Sequence, residues 1–114
     1  MRLLVCGGRS YSDREKLFWM LDALHAATPV TLVIHGGASG ADALAGTWAK
    51  ERGIPVQVFD ADWSSHGRAA GPIRNRAMLV EGKPNMVAAF PGGAGTKNLI
   101  SQARAAGLGV FSVG

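Results

Sequence analysis

Residues 86–96 read Met-Val-Ala-Ala-Phe-Pro-Gly-Gly-Ala-Gly-Thr, an apolar run that ends in a glycine-rich turn. A helix-like segment that ends near Gly107 follows this turn, and a last apolar run extends from Gly109 to Val113. An apolar strand, a short turn and a helix in this order are typical of parallel β-sheets, in which helices form the crossovers. The stretch therefore predicts an α/β fold.

The same order of elements occurs four times along the chain. The first four strands are predicted at Leu3 to Cys6, Val30 to Ile34, Val56 to Phe59 and Met86 to Phe90. The other helices are predicted from the capping box Ser12–Glu15, over Ala41 to Arg52, and from Pro72 to about Glu81, with Asp60 to Gly71 as a polar loop. Right-handed crossovers then predict a single Rossmann-like, doubly wound domain over residues 1–114, with about five parallel strands in the order 3-2-1-4-5.

Composition narrows the function classes. Hydrophobic residues make up 47% of the 114 residues and the net charge is only +4, so intrinsic disorder is not expected. No apolar run reaches the roughly 18 residues that span a bilayer, and the N-terminus does not resemble a signal peptide. We therefore expect a cytoplasmic protein without a membrane partner. One cysteine, Cys6, and no Cys/His cluster at zinc spacing predict neither a disulfide nor a metal site.

Glycine is the unusual residue, with 16 copies, and half of them follow predicted strands: Gly7, Gly8, Gly36, Gly37, Gly40, Gly92, Gly93 and Gly95. The carboxyl ends of parallel strands meet at one edge of a sheet, and ligands bind there where the strand order reverses. These glycines therefore predict one ligand-binding surface. The alternative for each loop is a tight turn that uses glycine only for its backbone geometry.

Two of these loops have the features of an anion site. Backbone N–H groups of Pro91–Thr96, at the start of a helix, could cradle a phosphate. The loop Gly36–Asp42 adds the hydroxyl of Ser39 and the carboxylate of Asp42, which would contact a ribose hydroxyl or satisfy N–H groups of the helix start. Neither loop is a Walker A motif or a complete dinucleotide fingerprint, which disfavours ATP hydrolysis by P-loop chemistry.

A third candidate region is rich in arginine: it contains Asp62-Trp63, Arg68, Arg74, Asn75 and Arg76. Such a segment can stack a base and neutralise a phosphate, and a solvated surface segment is the alternative. Arg74 and Arg76 are two residues apart on a helix, so at most one of them should point into the crevice. We interpret Trp63 as an anchor to the core.

The remaining candidates carry weaker signals. His35 ends a predicted strand beside the site and is a candidate base, although no partner for it is evident. Cys6 is expected to be a small buried hydrophobe and not a nucleophile. We interpret His25, Trp19 and Trp48 as structural.

Several segments together resemble one known family. They are Cys6–Arg9, His35–Asp42, Asp62-Trp63, Gly71–Met78 and Phe90–Thr96. In this order they resemble the YspA-like, cpYpsA-related branch of the SLOG superfamily, whose other members include DNA-processing proteins and the Lonely Guy phosphoribohydrolases. The resemblance implies a Rossmann-like nucleotide-sensing or nucleotide-processing domain of bacteria or phages, with a nucleotide-derived ligand.

The chain departs from the Lonely Guy signature Pro-Gly-Gly-x-Gly-Thr-x-x-Glu at its last position. Pro91 to Thr96 matches, but the glutamate position is Leu99. Arg76 falls where the family's catalytic arginine would be. Because the carboxylate would stabilise a developing oxocarbenium ion, hydrolysis by the same mechanism is disfavoured, and Arg76, Asp42 and His35 are weak catalytic candidates. The sequence leaves open whether the protein is an enzyme.

The leading hypothesis is the binding of a nucleotide or its derivative, with phosphate at Gly92–Thr96, support from Arg76, and Gly36–Asp42 on the sugar side. N-glycosidic cleavage and single-stranded nucleic-acid binding are the alternatives. No cofactor beyond this ligand is expected, and the resemblance implies a homo-oligomer. The predicted ligand-binding residues are Gly7, Gly8, Arg9, Gly36, Gly37, Ser39, Gly40, Asp42, Arg74, Asn75, Arg76, Pro91, Gly92, Gly93, Gly95 and Thr96.

Overall fold

Five short apolar segments form one all-parallel sheet in the computed structural model, which describes residues 1–113. The strands are β1 (Arg2–Cys6), β2 (Leu32–His35), β3 (Val56–Val58), β4 (Met86–Ala89) and β5 (Gly109–Ser112). Their order is β3-β2-β1-β4-β5, which confirms the predicted α/β class and strand order. The direction of strand order reverses at β1, the first strand of the chain.

Five α-helices connect or follow the strands within residues 1–113. They are α1 (Arg14–Ala27), α2 (Ala41–Glu51), α3 (Trp63–His66), α4 (Ala70–Val80) and α5 (Ala94–Ala105). No helix within residues 1–113 is long and apolar enough to cross a membrane.

The prediction that Asp60 to Gly71 is a loop was wrong from Trp63 onward. Trp63–His66 is helical, residues 67–69 form a 3₁₀ turn, and α4 begins at Ala70. The cause is a local cap, because the carboxylate of Asp62 accepts hydrogen bonds from the backbone N–H of Ser65 and the hydroxyl of Ser64.

The sheet separates two apolar cores. Side chains alternate along β1, so Leu3 and Val5 pack beneath α1 and α2, whereas Leu4 and Cys6 face the core that contains residues of α4 and α5. Leu3, Leu4 and Val5 are fully buried, as expected for a central parallel strand covered on both faces.

The aromatic residues interpreted as structural divide into two groups. Trp48 is fully buried and donates its indole N–H to Asp22, and His25 accepts the backbone N–H of Val30 through Nδ1 at 2.9 Å. Trp19, in contrast, is 68% exposed, so the structural interpretation was wrong for this residue. It lies two residues beyond the buried Leu17, which is about 200° around the helix and away from the core.

The turns at the carboxyl edge are joined to one another through Gly8. Its N–H donates to the carbonyl of Pro91 at 2.8 Å, and its carbonyl accepts the N–H groups of Tyr11 and Ala41. Gly40 lies against this junction with φ of +73°, and a Cβ there would collide with the carbonyl oxygen of Gly8. The fold thus fixes the relative positions of three strand-to-helix turns.

We predict that Gly40→Ala destabilises the protein far more than Gly53→Ala. Both glycines have a positive φ, which costs an alanine about 1–2 kcal/mol, but only a Cβ at residue 40 meets other atoms, whereas residue 53 has open space. Overpacking adds about 1–3 kcal/mol at residue 40. Urea denaturation of both variants measures the difference, and equal losses would show that the junction is not rigid.

Candidate functional site

A cavity of about 620 Å³ lies at the carboxyl edge of the sheet, beside β1 and the turn that follows β4. Its volume is within the range of small-molecule sites, roughly 300–1,000 Å³. We call it the main cavity. From the predicted ligand-binding residues it brings together Gly7, Gly8, Arg9, Asp42, Arg74, Asn75, Gly93, Gly95 and Thr96.

A smaller cavity of about 290 Å³, which we call the side cavity, adjoins the main one. The two share Arg9, Ala38, Trp63 and Arg74. The predicted residues Gly36, Gly37 and Ser39 line only the side cavity, whereas Pro91 and Gly92 line a separate, open groove. Gly40, Arg76 and His35 line none of these three spaces.

The N-terminus of α5 opens into the main cavity. Its N-cap residue is Gly93, and no side chain caps this helix, whereas Asp13 caps α1. At Gly93 and Gly95 no atom lies within 4 Å of the position that a Cβ would occupy, and neither has a positive φ. The first-turn N–H groups and the positive end of the helix dipole are therefore available to an anion.

Three guanidinium groups, those of Arg9, Arg68 and Arg74, line the main cavity. Arg74 is held in place, because its Nη1 donates to the carbonyl of Gly36 at 2.6 Å and its Nε to Oδ1 of Asn75 at 3.0 Å. Burial lowers the pKa of Arg74, and the nearby charge of Asp42 opposes this shift. Together the three side chains make the cavity attractive to anions.

Arg76 was predicted to support a phosphate, but the structure does not bring it to the cavity. Its side chain is exposed. Two residues along α4 correspond to a rotation of about 200°, so Arg74 faces the crevice and Arg76 faces away. Only one of the two arginines thus points inward, as their spacing predicts.

Asn75 connects the two helices of the main cavity. It is 3% exposed, and its Nδ2 donates to the carbonyl of Gly95 and to Oδ1 of Asn98, both at 3.1 Å. Its Oδ1 accepts the Nε of Arg74. A single amide therefore sets the position of the arginine relative to the open end of α5.

Asp42 fixes the turn after β2. Its Oδ2 accepts the backbone N–H groups of Gly36 and Ala38 at 3.1 and 3.2 Å. Burial raises the pKa of this carboxyl, opposed by these hydrogen bonds and by the charges of His35 and Arg74. The carboxylate satisfies N–H groups of the preceding loop, and contact with a ribose hydroxyl stays a prediction.

His35 also holds this turn. The imidazole is 7% exposed, accepts the N–H of Gly37 through Nδ1 at 3.0 Å, and packs against Gly46 of α2 with its other nitrogen. Burial lowers its pKa, although the charges of Asp42 and Asp60 oppose the shift. His35, one of the three catalytic candidates, thus lies behind the turn and lines none of the three spaces described above.

Neither Cys6 nor Leu99 supplies a charged or nucleophilic group to the main cavity. Cys6 is buried at the wall of the main cavity, and burial, reinforced by the charge of Asp42, raises the pKa of its thiol to about 12. A neutral thiol is a poor nucleophile. Leu99 is buried at the same wall, so an apolar side chain stands where the Lonely Guy signature has its glutamate. Among residues 1–113, no cluster of three or more His, Cys, Asp and Glu could hold a metal ion.

Sequence reasoning missed several residues of the two cavities. Trp63, interpreted as a core anchor, is 48% exposed, lines both cavities, and lies under the guanidinium of Arg9, 5.3 Å from the ring centre. The cap at Asp62 turns it outward. Arg68 and Asp60 were also absent from the predicted set. Asp60 follows β3 closely, and its place at the carboxyl edge was a usable signal.

Two comparisons with known proteins agree. The model of the YAcAr family, described as the YspA, cpYpsA-related SLOG family, matches residues 1–66. "Gene 61 protein" of Mycobacterium phage D29 is 37% identical over 121 aligned residues, which cover 99% of this chain and 96% of that protein. The similarity to the phage protein thus includes the lining residues of the main cavity that lie beyond residue 66 as well as those before it.

We predict that His35 makes stability pH-dependent. Because the folded-state pKa of His35 is lowered, the unfolded chain binds its proton first as the pH falls through the ordinary value of 6.5. The free energy of unfolding should therefore fall with the pH until the folded-state pKa is reached. In His35→Asn, whose amide oxygen can replace Nδ1 as acceptor, this decline should be smaller. Urea denaturation at several pH values between 7.5 and 5 gives the free energy of unfolding of both proteins. An equal decline in the two proteins would contradict the assignment to His35.

Proposed function

Because the chain belongs to the YspA, cpYpsA-related SLOG family, we propose that its main cavity binds a nucleotide or nucleotide-derived molecule, with a phosphate at the N-terminus of α5. Family membership indicates nucleotide-related binding or processing in general. The contacts of the cavity support the finer assignment.

The open end of α5 is the observation that carries the proposal. Gly95 lies within α5, has no positive φ and has open space around it, so the fold does not require glycine at this position. A ligand that approaches the backbone closely would require it. The N-terminus of a helix binds anions, because its N–H groups are free and its dipole is positive there. A phosphate can accept hydrogen bonds from three consecutive N–H groups at this position.

The surrounding charges agree with a phosphate. Arg9, Arg68 and Arg74 can neutralise it, and Asn75 positions Arg74 next to Gly95. Asp42 is the one carboxylate of the described residues that lines the main cavity, and its Oδ2 is engaged by the turn after β2. The cavity therefore presents more positive than negative charge to a ligand.

Binding is favoured over N-glycosidic cleavage. Cleavage of the Lonely Guy type needs a carboxylate near the sugar, and the signature position holds the buried Leu99. A binding domain needs no such group. Single-stranded nucleic acid is less well matched, because the arginines converge on a bounded cavity and do not form a stripe. A homo-oligomer stays a prediction.

A proton NMR time course of the purified protein with AMP, ADP-ribose, NAD and cyclic dinucleotides tests the proposal. Selective line broadening without new signals supports a binding domain and identifies the ligand class. New anomeric signals would establish cleavage despite Leu99. A steep salt dependence of binding to oligonucleotides, with a slope of roughly −0.7 for each neutralised phosphate, would instead support nucleic-acid binding.

We predict that Gly95→Ala separates binding from stability. An added methyl group at the open end of α5 should weaken binding of the ligand and of inorganic phosphate by about tenfold, because hydrogen bonds to the charged group are lost. Alanine is a better helix residue, so the free energy of unfolding should rise by up to about 1 kcal/mol. Gly109→Ala, also in open space but at the start of β5, is the matched control. Unchanged affinity in Gly95→Ala would refute the phosphate position.

Arg74 and Arg76 provide a second matched pair. Arg74→Ala should weaken nucleotide binding by about tenfold or more in isothermal titration calorimetry, whereas Arg76→Ala should change affinity by less than about twofold. Both variants lose one positive charge from α4, so a general electrostatic effect would reduce affinity equally. Thermal unfolding of Arg74→Ala controls for loss of the hydrogen bond to Gly36.

A further inference from the structure

The side cavity is lined by an exposed carboxylate, that of Asp60, which acts on His35 and Arg74 only through its charge. Asp60 lines this cavity, and within residues 1–113 its side chain has neither a hydrogen bond nor an ion pair. Arg9 and Arg74 line the same cavity but lie beyond ion-pair distance of it. A carboxylate beside a phosphate site repels a second anion, so the part of a ligand that reaches Asp60 would be a hydrogen-bond donor.

Vicinal hydroxyls are the group that suits this position. A carboxylate accepts hydrogen bonds from two neighbouring hydroxyls through its two oxygens, which is how acidic side chains recognise ribose in dinucleotide-binding folds. Ser39 also lines the side cavity and adds a hydroxyl, which donates to the carbonyl of Arg9 in the structure. The side cavity thus has the chemistry of a sugar site.

The order of groups along the sheet edge sets the order of groups in a ligand that fills both cavities. Asp60 leans over the turn after β2, since a Cβ on Gly37 would collide with its carboxylate, whereas the open end of α5 follows β4. β1 lies between β2 and β4, so the two anchor points are separated by two strand spacings, roughly 10 Å. Arg9 and Arg74 belong to both cavities and lie between these points.

A nucleoside monophosphate leaves the middle of this arrangement without a matching group. Its one phosphate would lie at the N-terminus of α5, away from the two arginines that the cavities share. A second phosphate supplies a negative group where these arginines lie.

We propose that the two cavities form one elongated site for a ribonucleoside diphosphate group. In this arrangement the terminal phosphate binds the N-terminus of α5, the second phosphate binds between Arg9 and Arg74, and the ribose diol donates to Asp60. The inference rests on the proposed phosphate position and adds the ligand class and a residue that selects ribose.

The test uses calorimetric titration of the full chain with ADP, GDP, CDP and UDP, with the four matching 5′-monophosphates, and with inorganic pyrophosphate. At least one diphosphate should bind about tenfold or more tightly than its monophosphate. Asp60→Ala should weaken binding of that diphosphate by about tenfold. The unmodified protein should bind the diphosphate more tightly than its 2′,3′-dideoxy form, and this difference in affinity should disappear in the variant. Affinity for pyrophosphate should stay the same or rise, because a negative charge near the phosphates is removed. Glu81→Ala, an exposed carboxylate at the end of α4, is the control and should change affinity by less than about twofold.

Each contrary result has a distinct meaning. Monophosphates that bind as tightly as diphosphates, in a manner sensitive to Gly95→Ala, would overturn this inference and leave the proposed function intact. Equal gains in affinity for all ligands in Asp60→Ala would show that Asp60 acts only through its charge, and would overturn the sugar contact. Failure of every nucleoside monophosphate and diphosphate to bind would overturn this inference, and the proposed function would fail with it only if ADP-ribose, NAD and cyclic dinucleotides also failed to bind.

Discussion

The peptide group of Gly8 is the contact on which the ligand edge depends. Its N–H and carbonyl bond to Pro91, Tyr11 and Ala41, so the turns after β1 and β4 and the start of α2 share one set of hydrogen bonds. Backbone groups in such turns must be satisfied, and at Gly8 the turns satisfy one another through backbone groups alone. The result is a close-packed platform in which a Cβ at residue 8 would lie 2.9 Å from the carbonyl oxygen of Pro91. The cavity geometry follows from this rigidity.

Polar side chains behind the platform then set the electrostatics of the site. Asp42 and His35 hold the turn after β2 through backbone N–H groups, and Asn75 holds Arg74 against the end of α5. Burial raises the pKa of Asp42 and lowers that of His35, so burial acts against the charged form of both groups. Groups that appear catalytic in the sequence are thus used to position the backbone, while the exposed positive charge comes from arginines.

The sequence was sufficient for the fold and for about half of the residues that line the two cavities, because both depend on local patterns. Apolar runs, glycine turns and helix caps determine the strand order once crossovers are right-handed, and the carboxyl edge follows from it. Side-chain direction was harder to predict. Trp63 turns outward because Asp62 starts a short helix, and Arg76 faces away because a helix rotates by about 100° per residue. The partner of His35 is a backbone group, which no residue pattern identifies.

The glycines at the carboxyl edge of the sheet fall into two groups, which differ in the physical reason for glycine at each position. Gly7, Gly8 and Gly92 have other protein atoms where a Cβ would lie, so their absence of a side chain is explained by packing. Gly93 and Gly95 have neither such contacts nor a positive φ, and both lie at the open helix end. Gly93 is the N-cap residue of α5, a position where glycine is common, whereas neither packing nor backbone conformation explains the helical Gly95. Close approach of the proposed ligand would explain it. This distinction assigns the anion of the proposed ligand to one position, the open end of α5, which the glycine content of the sequence alone does not identify.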